Sequence, residues 1–223
     1  MTTILGISTS HDGTLSVQKD GVHVFSIAEE RLSRIKGYIG FPFLALDYVV
    51  AEGIINPADV SRIAIAQAEF HVGTNRSLEF EYARDKIYYD TQNDAPPSGY
   101  VIENPQFNGC RSAEAVADRL KRVVTDIAQK VGINAEVDLI DHHLCHAAAG
   151  YYASDFADPL IITLDGEGDG LSGSVNVVED GDIRRLAAVA QSESLGNVYS
   201  AITRQLGYKI SRHEGKITGL AAY

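Results

Sequence analysis

Short apolar runs at the start of the chain predict strands. Residues 14–18 place apolar side chains at every second position, which is the period of a strand with one buried face, and residues 4–8 and 22–28 are also predicted as strands. Asp20-Gly21, between the second and third runs, is a strong signal for a two-residue hairpin turn. The pattern predicts three antiparallel strands, with a polar loop at residues 8–12 between the first two.

Helical and strand patterns follow in turn. A helix is predicted over residues 42–52 and a buried strand over residues 62–66. Ser112 is a good N-cap for an amphipathic helix, whose apolar stripe is Val116, Leu120, Val123, Ile127 and Val131. The pattern fades near residues 69–110, which we interpret as an insertion. This order is typical of an α/β unit.

The opening pattern is repeated after Asp158-Pro159. The predicted elements are strands over residues 160–164, 173–178 and 183–191 and a helix over residues 195–206. An acidic, glycine-rich turn is predicted at residues 165–170, after the first of these strands. The pattern therefore predicts a complete unit over residues 1–155 and the start of a second unit over residues 156–223. We expect the chain to be part of a longer protein, or to complete its second sheet by forming a homodimer.

Duplicated units of this kind resemble the ribonuclease H-like superfold of the actin-like ATPases. In that superfold a hairpin loop of each unit contacts a nucleotide phosphate through backbone N–H groups and hydroxyls. The resemblance implies nucleotide contacts from these residues: Ser8, Ser10, Asp12, Gly166 and Gly168. A plain serine-rich hairpin turn is the alternative for the first loop.

Composition is that of an ordinary globular protein. Hydrophobic residues make up 45% of the chain and charged residues 22%. No apolar run reaches the length of a membrane span, and no signal peptide is recognisable at the N-terminus. Two cysteines are too few for a disulfide framework, which favours a reducing, cytoplasmic location. The net charge of −11 argues against a nucleic-acid surface.

A candidate metal site lies just before the second unit. His142 and His146 are four residues apart at the start of an alanine-rich helix, so their side chains share one face. Asp165 ends the next predicted strand and is the natural third ligand. Two imidazoles and a carboxylate suit a first-row divalent ion, although ligand type alone does not select one.

The charged segment at residues 29–36 has two interpretations. Two acids are followed by Arg31, Arg34 and Lys36. It is either a solvated segment with internal ion pairs, or a cationic strip that meets an anionic substrate group.

Five blocks of sequence, in order, resemble the O-carbamoyltransferases of nodulation-factor, cephamycin and tobramycin biosynthesis. The blocks are Gly6-Ile7-Ser8 with His11-Asp12, residues 29–36, Asp141-His142-His143 with His146-Ala147-Ala148, Leu164-Asp165-Gly166, and His213-Glu214-Gly215-Lys216 with residues 219–223. The resemblance implies an ATP-binding transferase of antibiotic or sugar-acceptor biosynthesis. Its adenylate-forming domain, absent from this chain, would make carbamoyl-adenylate from carbamoyl phosphate and ATP. The part seen here would transfer the carbamoyl group to a hydroxyl of a small-molecule acceptor.

The same resemblance implies roles for individual residues. His142, His146 and Asp165 would be metal ligands, with the family's fourth ligand, a later aspartate, lying beyond residue 223. Fe²⁺ is the expected ion, with Zn²⁺ or Mn²⁺ as alternatives. His11 is the candidate base and Lys36 a candidate contact for the anion. His143 either supports the ligands or is simply packed.

Two other functions remain open at this stage. The tRNA threonylcarbamoyl transferases share the histidine pair and the superfold, but the acidic charge and the block at residues 29–36 count against them. A non-catalytic nucleotide- or metal-binding fragment is the other alternative, and we expect the 223-residue chain alone to be inactive. Neither nucleic acid nor a membrane is an expected partner.

Overall fold

The computed structural model describes residues 2–9, 12–38, 40–66, 113–210 and 213–222. Two compact units are present, the first ending at Ile140 and the second beginning at Asp141. The division therefore precedes the predicted boundary at residue 155, because the helix that carries the histidines packs on the sheet of the second unit. The predicted insertion near residues 69–110 lies outside the described residues. None of the described helices is long and apolar enough to cross a bilayer.

The first unit is built on a mixed sheet, whose described strands lie in the order β3-β2-β1-β4-β5. They are β1 (Thr3–Ser8), β2 (Thr14–Lys19), β3 (Val22–Ala28), β4 (Val60–Ile65) and β5 (Glu136–Leu139). The first three are antiparallel, as predicted, and β4 and β5 run parallel to β1. Asp20 and Gly21 both have positive φ, 48° and 82°, as a type I′ hairpin turn requires.

Helices of the first unit cover this sheet and close its core. They are α1 (Glu29–Ser33), α2 (Phe43–Ala51) and α3 (Ala113–Lys130). Leu120, Val123 and Ile127 of the predicted stripe on α3 are buried in one apolar cluster with Leu5 and Ile63. Burial of this stripe is what stabilises a helix of ordinary propensity in water.

The burial of Glu29 shows that the charged segment at residues 29–36 is not wholly solvated. Its side chain is only 2% exposed. The carboxylate accepts hydrogen bonds from the backbone N–H groups of Leu44 (3.0 Å) and Ala45 (2.9 Å). These are unpaired donors in the first turn of α2, where a negative charge is favourable. Glu29 therefore caps α2, while Lys36 at the other end of the segment is exposed.

The second unit has a three-stranded antiparallel sheet in the order β6-β7-β8. Its described elements are α4 (His142–Tyr152), β6 (Ile161–Gly168), β7 (Leu171–Glu179), β8 (Asp182–Ala190), α5 (Leu195–Gln205) and α6 (Glu214–Leu220). The predicted turn over residues 165–170 was too long, because β6 continues to Gly168. Only Asp169 and Gly170, with φ of 49° and 77°, form the turn itself.

The two faces of this sheet differ in polarity. On the face covered by α4, the buried side chains include Thr163, Ser174 and Asn176. Ile162 and Leu164 alternate with these positions along β6 and are 61% and 73% exposed. The usual pattern of a sheet with one solvated face is thus inverted.

Candidate metal centre

Three polar contacts fix the first turn of α4. The Oδ1 atom of Asp141, the N-cap, accepts a hydrogen bond from the N–H of Leu144 at 2.7 Å. Asp169, at the β6–β7 turn, accepts one from the N–H of His142 at 2.7 Å. Arg185 of β8 forms an ion pair with Asp141. Helix donors that would otherwise be unpaired are thereby satisfied, and α4 begins at His142 with its next turn at His146.

A bulge in β6 presents Asp165. Leu164 pairs with Gly173 and Gly168 with Leu171, so residues 165–167 lie opposite a single residue of β7. Bulges of this kind redirect side chains and are common beside functional sites. The Oδ1 atom of Asp165 accepts a hydrogen bond from the N–H of Gly166 at 2.6 Å. Its Oδ2 atom faces the two histidines.

The ligand atoms of His142, His146 and Asp165 converge. The Nε2 atom of His142 lies 2.8 Å from Oδ2 of Asp165 and 3.0 Å from Nε2 of His146, which is itself 3.3 Å from Oδ2. Ligand atoms about 2.1 Å from a common ion are about 3.0 Å apart in octahedral and about 3.4 Å apart in tetrahedral coordination. The observed separations therefore fit a divalent first-row ion.

Protonation states at the cluster also suit metal binding. The hydrogen bond from His142 holds the pKa of Asp165 well below its usual range, although partial burial opposes this. Asp165 is therefore ionised at neutral pH, as a ligand must be. Burial raises the pKa of the Cys145 thiol to about 11, with the charges of Asp141 and Asp169 adding to the effect. Cys145 therefore remains protonated and is a poor ligand.

Gly168 is required by the position of His142. A Cβ atom built on Gly168 would lie 2.1 Å from Cδ2 of His142, far inside van der Waals contact. A Cβ atom on Gly166 would meet nothing within 4 Å. The resemblance implies that both glycines contact a nucleotide phosphate, and that assignment stays a prediction. The structure gives Gly168 a distinct role in leaving room for the imidazole.

A buried polar network beside the ligands could not be found from the sequence. The Nδ1 atom of His143 lies 2.8 Å from the Thr163 hydroxyl, which lies 2.8 Å from that of Ser174. The amide of Asn176 donates to the Ser174 hydroxyl at 2.9 Å. Burial lowers the pKa of His143, and the backbone of Leu171 opposes this only in part. Serine and threonine on a strand give no periodic signal that would have identified this network.

The other predicted site residues belong to the first unit. Ser8 ends β1, and Asp12, with φ of 58°, lies in the turn before β2. Lys36 is exposed just after α1. Ser10 and His11 lie outside the described residues. The roles assigned to these residues stay predictions.

Comparison with known proteins identifies a family that this chain matches. Residues 3–223 match the family model described as Carbamoyltransferase N-terminus. Uncharacterized protein MJ1051 of Methanocaldococcus jannaschii is 26% identical over 99% of this chain and 33% of its own length. Nodulation protein NolNO of Sinorhizobium fredii is 27% identical over 96% of this chain and 28% of its own length. The chain thus spans about a third of the length of these relatives.

Among solved structures, YeaZ from Pseudomonas aeruginosa aligns with a TM-score of 0.39 and 10% identity, over 86% of this chain and 69% of YeaZ.

Proposed function

This chain belongs to the carbamoyltransferase N-terminus family, and from that premise we propose that it is the transfer part of an O-carbamoyltransferase. Its substrate would be carbamoyl-adenylate, and its acceptor a hydroxyl of a small natural product or sugar. The convergence of three ligand atoms within a chain of this family is the main support. Carbamoyl-adenylate would be made from carbamoyl phosphate and ATP by an adenylate-forming domain in a longer polypeptide.

The first unit, in this proposal, has the ribonuclease H-like fold. Support comes from its sheet order, with three antiparallel strands followed by two strands parallel to the first. The loop after β1 would then contact nucleotide phosphate through Ser8, Ser10 and Asp12. Lys36 is an exposed cation in the same unit, and it would contact an anionic group of the substrate.

His142, His146 and Asp165 would hold a divalent ion, with Fe²⁺ as the first candidate and Zn²⁺ or Mn²⁺ as alternatives. When bound, such an ion supplies Lewis acidity toward phosphate and carbonyl oxygens. The side chain of His146 is 50% exposed, whereas that of His142 is 17% exposed. The cluster is therefore accessible from the His146 side, where a substrate could approach.

The transfer step forms one bond and breaks one bond at the carbamoyl carbon. The acceptor oxygen forms a bond to the carbamoyl carbon, and the bond from that carbon to the phosphate oxygen of AMP breaks. AMP leaves with the electron pair, and the hydroxyl proton passes to a base. His11 is the proposed base, because an imidazole can accept a proton near neutral pH.

The test uses the longest natural polypeptide that contains this chain. Pyrophosphate release reports adenylate formation, and ¹⁴C-carbamoyl transfer to a panel of sugars and aminoglycosides reports the second step. His146→Ala should abolish transfer and leave pyrophosphate release intact. His23→Ala is the matched control, since His23 is an exposed histidine of the first unit, and it should leave both steps unchanged. If His146→Ala abolishes both steps, or if the unaltered protein transfers no carbamoyl group to any acceptor, the proposal is contradicted.

A further inference from the structure

We propose that His143 and Thr163 are positioning residues, whose hydrogen bond holds α4 at the distance from β6 that brings the three ligand atoms together. The inference rests on the proposed metal centre, since it assigns a role to residues beside that centre. Neither His143 nor Thr163 contributes an atom to the ligand cluster.

The location of the bond is the first support. His143 is adjacent in sequence to His142, and Thr163 precedes Asp165 by two residues on β6. Their 2.8 Å hydrogen bond therefore connects the two ligand-bearing elements immediately beside the ligands. A change in this spacing would separate the imidazoles from the carboxylate, because the histidines lie on one element and Asp165 on the other.

Burial is the second support. His143 is 0% exposed, and Thr163, Ser174 and Asn176 are between 1% and 5% exposed. Water has no access to replace a bond lost within this network, so each partner depends on the others. Among the described residues of the second unit, only Ala147 and Ile161 provide buried apolar side chains. Fully buried side chains in the described part of this unit are therefore mostly polar, so the packing of α4 depends on the network as well as on apolar contacts.

The far end of the network has a defined donor. The carbonyl of Ile161 can only accept, so the Asn176 atom 3.4 Å from it is the NH₂ group, which also donates to the Ser174 hydroxyl. The Ser174 and Thr163 hydroxyls and Nδ1 of His143 continue the network, each 2.8 Å from the next. Removing the Thr163 hydroxyl would leave Nδ1 of His143 buried without its partner, and the helix would be released from β6 at this point.

Co²⁺ is a suitable probe, because its absorption spectrum reports ligand number and geometry. Thr163→Val keeps the shape of the side chain but removes the hydroxyl, and Thr163→Ser restores the hydroxyl. Thr203→Val is the matched control. Thr203 is a buried threonine of α5 in the same unit, and its hydroxyl bonds to the Tyr199 carbonyl at 2.9 Å.

We expect Thr163→Val to weaken Co²⁺ binding about tenfold or more and to shift the visible absorption bands, because residues that orient metal ligands have effects of this size. Thr163→Ser should bind nearly as tightly as the unaltered protein, because it keeps the hydroxyl. Thr203→Val should lower the melting temperature without changing the Co²⁺ affinity or spectrum.

The inference is overturned if Thr163→Val binds Co²⁺ with unaltered affinity and spectrum, or if Thr203→Val weakens binding equally. Either result would still be compatible with the proposed metal centre. If the unaltered protein binds no Co²⁺, the proposed metal centre fails, and the positioning role fails with it.

Discussion

The Nε2 atom of His142 lies 2.8 Å from Oδ2 of Asp165, although the two residues are 23 positions apart in the chain. His142 is held by the capped first turn of α4, and Asp165 by the bulge in β6. This contact therefore depends on both elements. A change at either should be detectable as a change in metal affinity.

We predict that the 223-residue protein binds its ion weakly. The described residues supply three ligands, and with water in the remaining coordination positions a site of this kind releases its metal more readily than a closed one. Brief dialysis against a chelator should remove the ion, and added Fe²⁺, Zn²⁺ or Mn²⁺ should rebind. Elemental analysis after dialysis is the measurement. Stoichiometric metal that resists the chelator would show that a further ligand completes the site.

Gly168→Ala should weaken metal binding by about tenfold or more, the range seen when a ligand's support is disturbed. The added methyl group would overlap the imidazole of His142, so either the ring or β6 must move. Gly166→Ala is the control on the same strand, because its Cβ atom has open space. Titration with Co²⁺ would compare the two variants. Equal affinities for both would contradict the tight approach of Gly168 to His142.

Asp165→Asn should reduce the stability of the metal-free protein in a pH-dependent manner. Asp165 has a lowered pKa in the folded state, so the unfolded chain binds its proton first as pH falls. The stabilisation is therefore fully present above the unfolded pKa of about 3.9 and is lost at lower pH. At pH 6 we expect a loss of about 1–2 kcal/mol, because a hydrogen bond to a charged group contributes about 1.5–3 kcal/mol and solvent weakens it at a carboxylate that is 30% exposed.

Thermal unfolding of both proteins in chelator, from pH 3 to pH 7, measures this difference. The gap in melting temperature should narrow toward pH 3. A gap of constant size across this range would mean that the ionised carboxylate does not stabilise the fold.

Much of the fold could be predicted from local patterns. The apolar runs and the Asp20-Gly21 turn identified β1, β2 and β3, and the helical stripe identified α3, because β1, β2 and α3 each bury one regular face. The end of β6 was missed, since a bulge at Asp165 interrupts the pairing and glycines beside acids are typical of turns. Glu29 was also missed, since its charge indicates solvent exposure, whereas its partners are backbone N–H groups of α2.

The candidate site was only partly predictable. The spacing of His142 and His146 identifies a shared helical face, and Asp165 follows the next predicted strand. The network from His143 to Asn176 depends on how α4 packs over β6 and β7, and tertiary contacts of that kind leave no periodic pattern in the sequence.

We also predict that the 223-residue protein self-associates through the second unit. Ile162 and Leu164 expose apolar side chains on β6, an edge strand among the described residues. Exposed apolar edges favour pairing with another chain. Leu164→Glu should reduce the association, measured by light scattering over a range of concentrations. Val22→Glu, at an exposed apolar residue of the first unit, should have little effect. A protein that is monomeric at all concentrations would contradict this prediction.

Anomalous X-ray diffraction from crystals grown with Co²⁺ tests the metal centre most directly. Data on both sides of the cobalt absorption edge locate the ion independently of any assumption about its ligands. We predict one dominant peak about 2.1 Å from the Nε2 atoms of His142 and His146 and from Oδ2 of Asp165. The peak should be absent in His146→Ala crystals and present in His23→Ala crystals. A dominant peak at other residues, or none at these three, would contradict the account.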